Sequence, residues 1–557
     1  MAFAVALALP AAASVGIPRV AGASHGRFAS FEPRRAVDLD SRPDAVRVEL
    51  TAEPGRHGFR AGGSTAIWGY NGEVPGPVIR ANVGDDVEVR FCNKLPAEAG
   101  ATIVHFHGIE AIATMDGSNI SQLPVERGDC FDYSLKPLRA ATYWYHTHLN
   151  SNVQIEHGLA GTFVVSDPAE DAALGLPTAA VAMLDDVLLD GANQIAPELP
   201  DDPQARAKML LDGREGNVLL ANGEQGRILD ATVGEPLRIR LVNSANARFM
   251  RLSIPDQQVW QIGGDAGLLS RAVPVVPVPT MMTGGMHGGH MSDPDPAKGL
   301  LLVPGQRAEI VLNPQGVPGD LIPVQWHDFP RGHHNPIQAA DGTWTLAHDH
   351  MDGHAPPQTL FSIRLRPGGG RVAPWSPPAM LRPVEAIDAT GAAPLTSIFG
   401  HTMPDADGNV KFVAQEPGKP FPMVTPDDAQ DVSVGQTRIW EVTNLTGSDH
   451  PFHAHGFFFQ PLEIEYVDTT NPANNRVVPF TTREWMDTIR LPARPGPGGG
   501  ATRTILRAAT VFSDVGREGQ ILASGKVPSP GRSGGWVFHC HIFEHADNGM
   551  MSFIEVK

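Results

Sequence analysis

Cysteine is scarce in this chain of 557 residues, which has only Cys92, Cys130 and Cys540. Thiols so few and so scattered cannot build a disulfide scaffold, nor a structural zinc site, which needs thiolates in closely spaced pairs. Positive charge is also short: 43 Lys and Arg stand against 61 Asp and Glu, a net charge of −18. Nucleic acid and anionic membrane surfaces are therefore not expected as partners, because binding phosphates draws on surplus cationic side chains. Beyond a short run at the N-terminus there is no long hydrophobic stretch, so no membrane span is expected. HExxH and a glycine-rich phosphate loop are missing too, which leaves zincin and nucleotide readings without residues to rest on.

Glycine (59) and proline (50) are plentiful and only 19% of residues are charged, a composition suited to short strands joined by turns. Three segments repeat one pattern: VGDDVEVRFCN from Val83, VGEPLRIRLVN from Val233 and VGQTRIWEVTN from Val434. Each opens on Val-Gly, alternates as a half-buried strand does, and closes on Asn. The simplest account is an all-β chain of three related sandwiches. Helical periodicity is confined to pieces such as Pro203 to Leu211. Turn-rich stretches place the units at 46–168, 169–370 and 371–557, after an N-terminal segment 1–45. The second unit carries two His/Met-rich inserts, 281–291 and 327–354.

Histidine numbers 22, and five His-x-His pairs occur where chance accounts for about one. Four lie in telling contexts: His105-Phe-His107-Gly108, His146-Thr-His148, His450-Pro-Phe-His453-Ala-His455 and His539-Cys540-His541. On a strand, His539 and His541 point one way and Cys540 the other, which makes two sites back to back. On the Cys540 side, His545 and Met550 follow, and His450 is left over from the pairs. Thiolate, imidazole and thioether are what copper accepts in an electron-transfer site. On the other side, four His pairs supply eight nitrogens, enough for several metals. One isolated histidine is more often an ordinary core or surface residue; the ordered set is not.

These four motifs, HxHG, HxH, HxxHxH and HCHxxxHxxxxM, resemble those of the multicopper oxidases, the laccase and bacterial cuprous-oxidase family, in order along nearly the whole chain. The resemblance implies three cupredoxin-like Greek-key domains and four coppers. The type 1 copper would take His450, Cys540, His545 and axial Met550; the type 2 copper, His105 and His453. The type 3 pair would take His107, His146 and His541 on one ion and His148, His455 and His539 on the other. It further implies that electrons from a donor enter at the type 1 site and pass along Cys540 to the cluster, where O2 is reduced to water. Asp116, in Met-Asp-Gly, matches the family's carboxylate near the cluster and is expected to relay protons; an ordinary turn Asp is the plainer reading. Many bacterial members carry Glu just after the last His. Ala546 stands there instead, so either Glu544 or Asp547 is expected to substitute, or the relay to run through water.

Met281, Met282, Met286, His287, His290 and Met291, with Met351 and the second insert's His327, His333, His334, His348, His350 and His354, form a Gly-spaced set suited to accessory copper; the plainer reading of both inserts is a solvated low-complexity loop. Three functions follow: a laccase-like oxidase of phenols and aromatic amines reacting near His545; a cuprous or other metal-ion oxidase in copper tolerance, served by the inserts; or a non-enzymatic copper carrier or storage protein. The last needs only the type 1 residues. Partners are O2 and a small-molecule donor or Cu(I), and a monomer is expected. Ala2 to Ala13 and Ala21-Gly22-Ala23 read as an incomplete export signal, implying a periplasmic or extracellular protein, or else as an Ala-rich tail. Cys92 and Cys130 are either a disulfide or two buried thiols.

Overall fold

The computed structural model describes residues 28–278, 298–339, 341–349, 355–368, 372–415, 429–493, 502–512 and 535–556. The repeated Val-Gly…Asn segments occupy the same place in each of three β-sandwiches. Their glycines take φ of +84°, +74° and +78° at Gly84, Gly234 and Gly435, a turn that side chains disfavour. The strands that follow are Asp86–Asn93, Leu237–Asn243 and Gln436–Asn444. Each runs parallel to the opening strand of its own unit, respectively Ala45–His57, Ala179–Val187 and Ala393–His401.

The closing asparagines explain the end of the motif. Asn93, Asn243 and Asn444 are all buried. In each, Nδ2 donates to two main-chain carbonyls: Gly100 and Val125, Arg248 and Leu302, Ser448 and Pro492. Their Oδ1 atoms accept from the N–H two residues on, at Leu95, Ala245 and Thr446. Only a side-chain amide both donates twice and accepts at this reach, so each copy ties off its turn without leaving a buried polar group unpaired.

The first sandwich stacks two four-stranded sheets; the second and third each stack a six-stranded on a five-stranded sheet. Alternating apolar side chains fill a separate core in each. In the first, Cys92 lies directly opposite Cys130 on the antiparallel strand Cys130–Leu135, and the two form a disulfide, which resolves the open alternative. The N-terminal arm is anchored rather than trailing: Phe28 and Phe31 enter the core of the second sandwich, the Phe31 ring 5.2 Å from that of Phe361. Residues 1–27, with the signal-like run, lie outside the described residues. Among the described residues no helix is long and apolar enough to cross a membrane.

The helix expected from Pro203 forms as Pro203–Asp212, its first turn capped by Asp202, whose carboxylate accepts from Ala205 N–H at 2.8 Å. Leu210 and Leu211 at its end pack into the third sandwich's core beside Cys540 and Met550. The second insert is not simply a low-complexity loop. Its strands His333–Gln338 and Trp344–Asp349 form a hairpin with His334 opposite His348, and His327 and His334 are buried. The first insert, 281–291, and His350, Met351 and His354 lie outside the described residues.

Candidate metal centre

Strand register assembles the histidine pairs. Val104–His107 runs antiparallel to Ala141–Thr147 with His105 opposite His146. His450–Ala454 pairs with Gly535–Cys540 so that His453 faces His539 and Phe452 faces Cys540. Residues two apart return to one face, so the first and third sandwiches each send four imidazoles into one pocket. None of the eight is more than 4% exposed. Ring nitrogens of His107, His146 and His541 lie within 4.8 Å of one another, as do those of His148, His455 and His539, and of His105, His107 and His453.

Outer hydrogen bonds decide which nitrogen faces inward. Nδ1 of His105, His146, His453 and His539 lies 2.7, 2.8, 2.9 and 2.8 Å from the carbonyls of Asp116, Thr147, Asp487 and Cys540. A carbonyl only accepts, so each Nδ1 holds the proton and each Nε2 offers a lone pair. Among the described residues, those of His105, His146 and His453 have no hydrogen-bond partner. Nε2 of His539 lies 3.1 Å from that of His455 and 3.4 Å from that of His148. His107 is turned the other way, its Nε2 3.2 Å from Asp487 Oδ1 and its Nδ1 3.3 Å from His541 Nε2. Burial, then repulsion from neighbouring groups, pushes His107, His146, His148, His453, His455, His539 and His541 below the ordinary imidazole pKa. Neutral, buried lone pairs converging without protons between them are costly unless a cation lies among them. The pocket fits copper.

Across the strand, Cys540 Sγ is 3.4 Å from His450 Nδ1 and 3.5 Å from His545 Nδ1, and the two nitrogens are 3.2 Å apart. His545 Nε2 donates to the Leu211 carbonyl at 3.1 Å, and His450 Nε2 lies 2.7 Å from Thr446 Oγ1. Both rings are thereby held with Nδ1 toward the sulfur. Met550 is buried in the same apolar cluster, its N–H donating to the His545 carbonyl and its carbonyl accepting from Cys540 N–H. Thiolate, two imidazoles and a thioether in a dry pocket again suit copper.

Burial pushes the Cys540 thiol well above its ordinary pKa, so in the metal-free protein it keeps its proton through neutral pH. Copper must displace that proton, whereas burial already favours the neutral form of seven cluster imidazoles, His107, His146, His148, His453, His455, His539 and His541. Lowering pH from about 8 to about 6 should therefore weaken copper loading at Cys540 about tenfold per unit and weaken loading of the histidine pocket much less. Titrating metal-free protein with copper at several pH values, following blue absorption and bound metal separately, checks this.

The expected carboxylates divide. Asp116 is buried against the cluster, its Oδ2 2.8 Å from His455 Nδ1 and its carbonyl on His105. Burial opposes its ionisation, but the rings of His455 and His105 outweigh that and hold the carboxyl below its usual range. Glu544 and Asp547 sit on the short helix Phe543–Asp547, and burial pushes each up to about 7. Glu544 accepts from Asn246 Nδ2 at 3.3 Å and Asp547 from Asn152 N–H at 2.8 Å. Neither is hydrogen-bonded to a cluster histidine among the described residues. The accessory set Met281, Met282, Met286, His287, His290 and Met291 lies outside the described residues. Asp487, Thr446 and the Leu211 carbonyl hold the rings of His107 and His453, of His450 and of His545, and carry no motif that would have singled them out.

Models of the multicopper oxidase family match residues 53–170 and, in two stretches, 400–510 and 509–557. The multicopper oxidase mco of Staphylococcus aureus is 24% identical, over 91% of this chain and 88% of that protein. Among solved structures, a Campylobacter jejuni multicopper oxidase described as a metallo-oxidase superposes with a TM-score of 0.68 at 22% identity, over 95% of this chain and 96% of that one. A laccase-like oxidase from Ochrobactrum, described as active towards lignin model compounds, gives the same TM-score and identity over 95% and 100%. At that identity the structures establish the fold alone, and the matched segments are those that carry every histidine pair of the two sites. The chain belongs to the multicopper oxidase family and is a copper-dependent oxidoreductase.

Proposed function

We propose a laccase-like oxidase that takes single electrons from phenols or aromatic amines and delivers them to O2. One observation carries this reading: the Cys540 thiol site and the eight-imidazole pocket lie back to back on one strand. The type 1 copper is assigned to His450, Cys540, His545 and Met550, and the type 2 copper to His105 and His453. The type 3 pair is assigned to His107, His146 and His541 and to His148, His455 and His539. Bound there, copper supplies one-electron oxidation at the first site and the four-electron reduction of O2 to water at the second. Cys540 shares a peptide bond with His539 and another with His541, so a path of covalent bonds joins the two sites. A carrier protein would need the Cys540 side only; the complete second pocket speaks against that reading.

Asp116 is assigned the proton relay because it touches rings of two different cluster groups. For the second donor, Asp547 is favoured over Glu544: it bonds to Asn152, four residues past His148. His545 is fully buried, so a donor does not touch its ring. The hydrogen bond to the Leu211 carbonyl is the link outward from the ring, and because Leu211 and Asp212 are buried as well, an electron from the donor crosses this cover rather than a direct contact. Export is supported by the Cys92–Cys130 disulfide, which is stable in an oxidising compartment.

A second reading, metal-ion oxidase, is favoured by the groups over that same turn. His334 Nδ1 lies 3.2 Å from Asp212 Oδ1 and 3.1 Å from Ser448 Oγ. The His401 ring stands 5.5 Å from His334 and 5.8 Å from Phe412, which stacks on His545 at 4.3 Å. Oxygen uptake with a methoxyphenol and with Cu(I), before and after deleting 281–291, separates the two. The laccase-like reading expects phenol-driven uptake that the deletion leaves unchanged. Uptake driven by Cu(I) but not by phenol, and lost on deletion, would establish the metal-ion reading instead.

A further inference from the structure

The middle sandwich supplies none of the assigned copper ligands, yet three consecutive residues of it reach the cluster's surroundings. Gly305, at φ +87°, lies against the His541 ring: a Cβ there would come within 2.8 Å of His541 Cδ2. Gln306 Nε2 donates to the Thr488 carbonyl at 2.9 Å. Arg307 is fully buried. Its Nη1 donates to Asp487 Oδ1 at 2.7 Å while Nη2 contacts Asp487 Oδ2, closing a two-pronged ion pair. The remaining donors are spent on the carbonyls of Thr142, Gly305 and Asp265 at 3.0, 2.9 and 3.1 Å. One guanidinium thus ties together all three sandwiches.

Asp487 is the far end of this clamp, and it holds two cluster rings at once. Its Oδ1 lies 3.2 Å from His107 Nε2, and its carbonyl accepts from His453 Nδ1 at 2.9 Å. His107 faces the pocket with Nδ1, the reverse of His105 and His453, so its outward Nε2–H needs an acceptor that no main-chain carbonyl among the described residues provides; Asp487 Oδ1 is that acceptor, with Thr488 Oγ1 also 3.2 Å away. The clamp also accounts for the glycine of the HxHG motif. A Cβ on Gly108 (φ +88°) would lie 2.5 Å from Arg307 Nη2 and 2.7 Å from Asp487 Oδ2, so a side chain there would part the ion pair.

We propose that Arg307 is a positioning residue for the trinuclear centre, acting from the middle sandwich by fixing Asp487 and through it the rings of His107 and His453. The proposal rests on the ligand assignment above. Without the guanidinium, the buried Asp487 carboxylate loses the cationic fork that fixes its orientation, and turning away frees the His107 ring. Outer partners of metal-binding histidines typically contribute about 10- to 100-fold to metal affinity or activity.

The test compares copper-loaded wild type, Arg307→Met and Arg307→Lys by blue absorption, near-ultraviolet type 3 absorption, the type 2 electron paramagnetic resonance signal and copper per chain. Arg307→Met should keep its blue absorption and lose about tenfold or more of its type 2 signal at limiting copper. Arg307→Lys should fall between, since it keeps the charge but not the fork. A wild-type type 2 signal in Arg307→Met, or loss of blue and cluster signals in equal proportion, would overturn the proposal. If Arg307→Met does not fold, Arg307→Lys decides: a reduced type 2 signal beside intact blue absorption supports the clamp, and a wild-type signal contradicts it. A wild-type protein lacking any type 2 signal would instead sink the ligand assignment.

Discussion

Cys540→Ser should abolish the intense visible absorption and slow donor-driven oxygen uptake by more than about 100-fold, beyond what loss of an outer hydrogen-bonding partner costs a metal site. The thiolate is the soft anionic ligand of the proposed type 1 site, and a serine hydroxyl is neither soft nor ionised near neutral pH. The exchange is nearly isosteric and leaves the strand pairing of Phe452 with Cys540 and of His453 with His539 in place. Cluster copper should therefore be retained while the entry site is lost. Metal analysis beside absorption and an oxygen electrode reads all three quantities. Undiminished colour and uptake would mean that the thiolate is not the inlet.

The converse variant is His541→Ala. Its Nε2 lies 3.3 Å from His107 Nδ1, and its ring is buried between Gly305 and Phe543, 4.8 Å from the latter, so alanine removes a cluster nitrogen without reaching Cys540 Sγ on the other face. The protein should remain blue. A reducing donor should bleach it once, and O2 should fail to restore the colour, with steady uptake again reduced more than about 100-fold. Stopped-flow absorption after mixing reduced protein with oxygenated buffer records this directly. Recovery at the wild-type rate would show that the pocket holding His541 is not where O2 is reduced.

Much of the fold and of the two sites is legible in the residues, for definite reasons. A strand's two-residue period alone makes His539, Cys540 and His541 a two-faced element. The Val-Gly…Asn repeat marks three sandwiches because its glycines must turn left-handed and its asparagines must tie a buried turn, conditions local to a dozen residues. Contacts between distant segments are another matter. Arg307 and Asp487 are separated by 180 residues and meet only when the sandwiches pack. Leu211 covers His545 through a main-chain carbonyl, which any residue could supply. The expectation of donors reacting near His545 carries no hint of that cover. Nor does histidine counting foresee that the second insert forms a hairpin in which His334 is buried; a cluster of His and Gly reads as loop until its strands are seen to pair.

In the assignment proposed above, opposite ends of the chain gather four coppers, one at Cys540 and three among eight histidines. Anomalous X-ray scattering from crystals of the loaded protein, recorded just above and just below the copper edge, locates each ion by element. The expected result is one copper peak between Cys540 Sγ and the Nδ1 atoms of His450 and His545, with three more enclosed by His105, His107, His146, His148, His453, His455, His539 and His541. Peaks elsewhere, fewer than three in the histidine pocket of fully loaded protein, or signal that persists below the copper edge would contradict it.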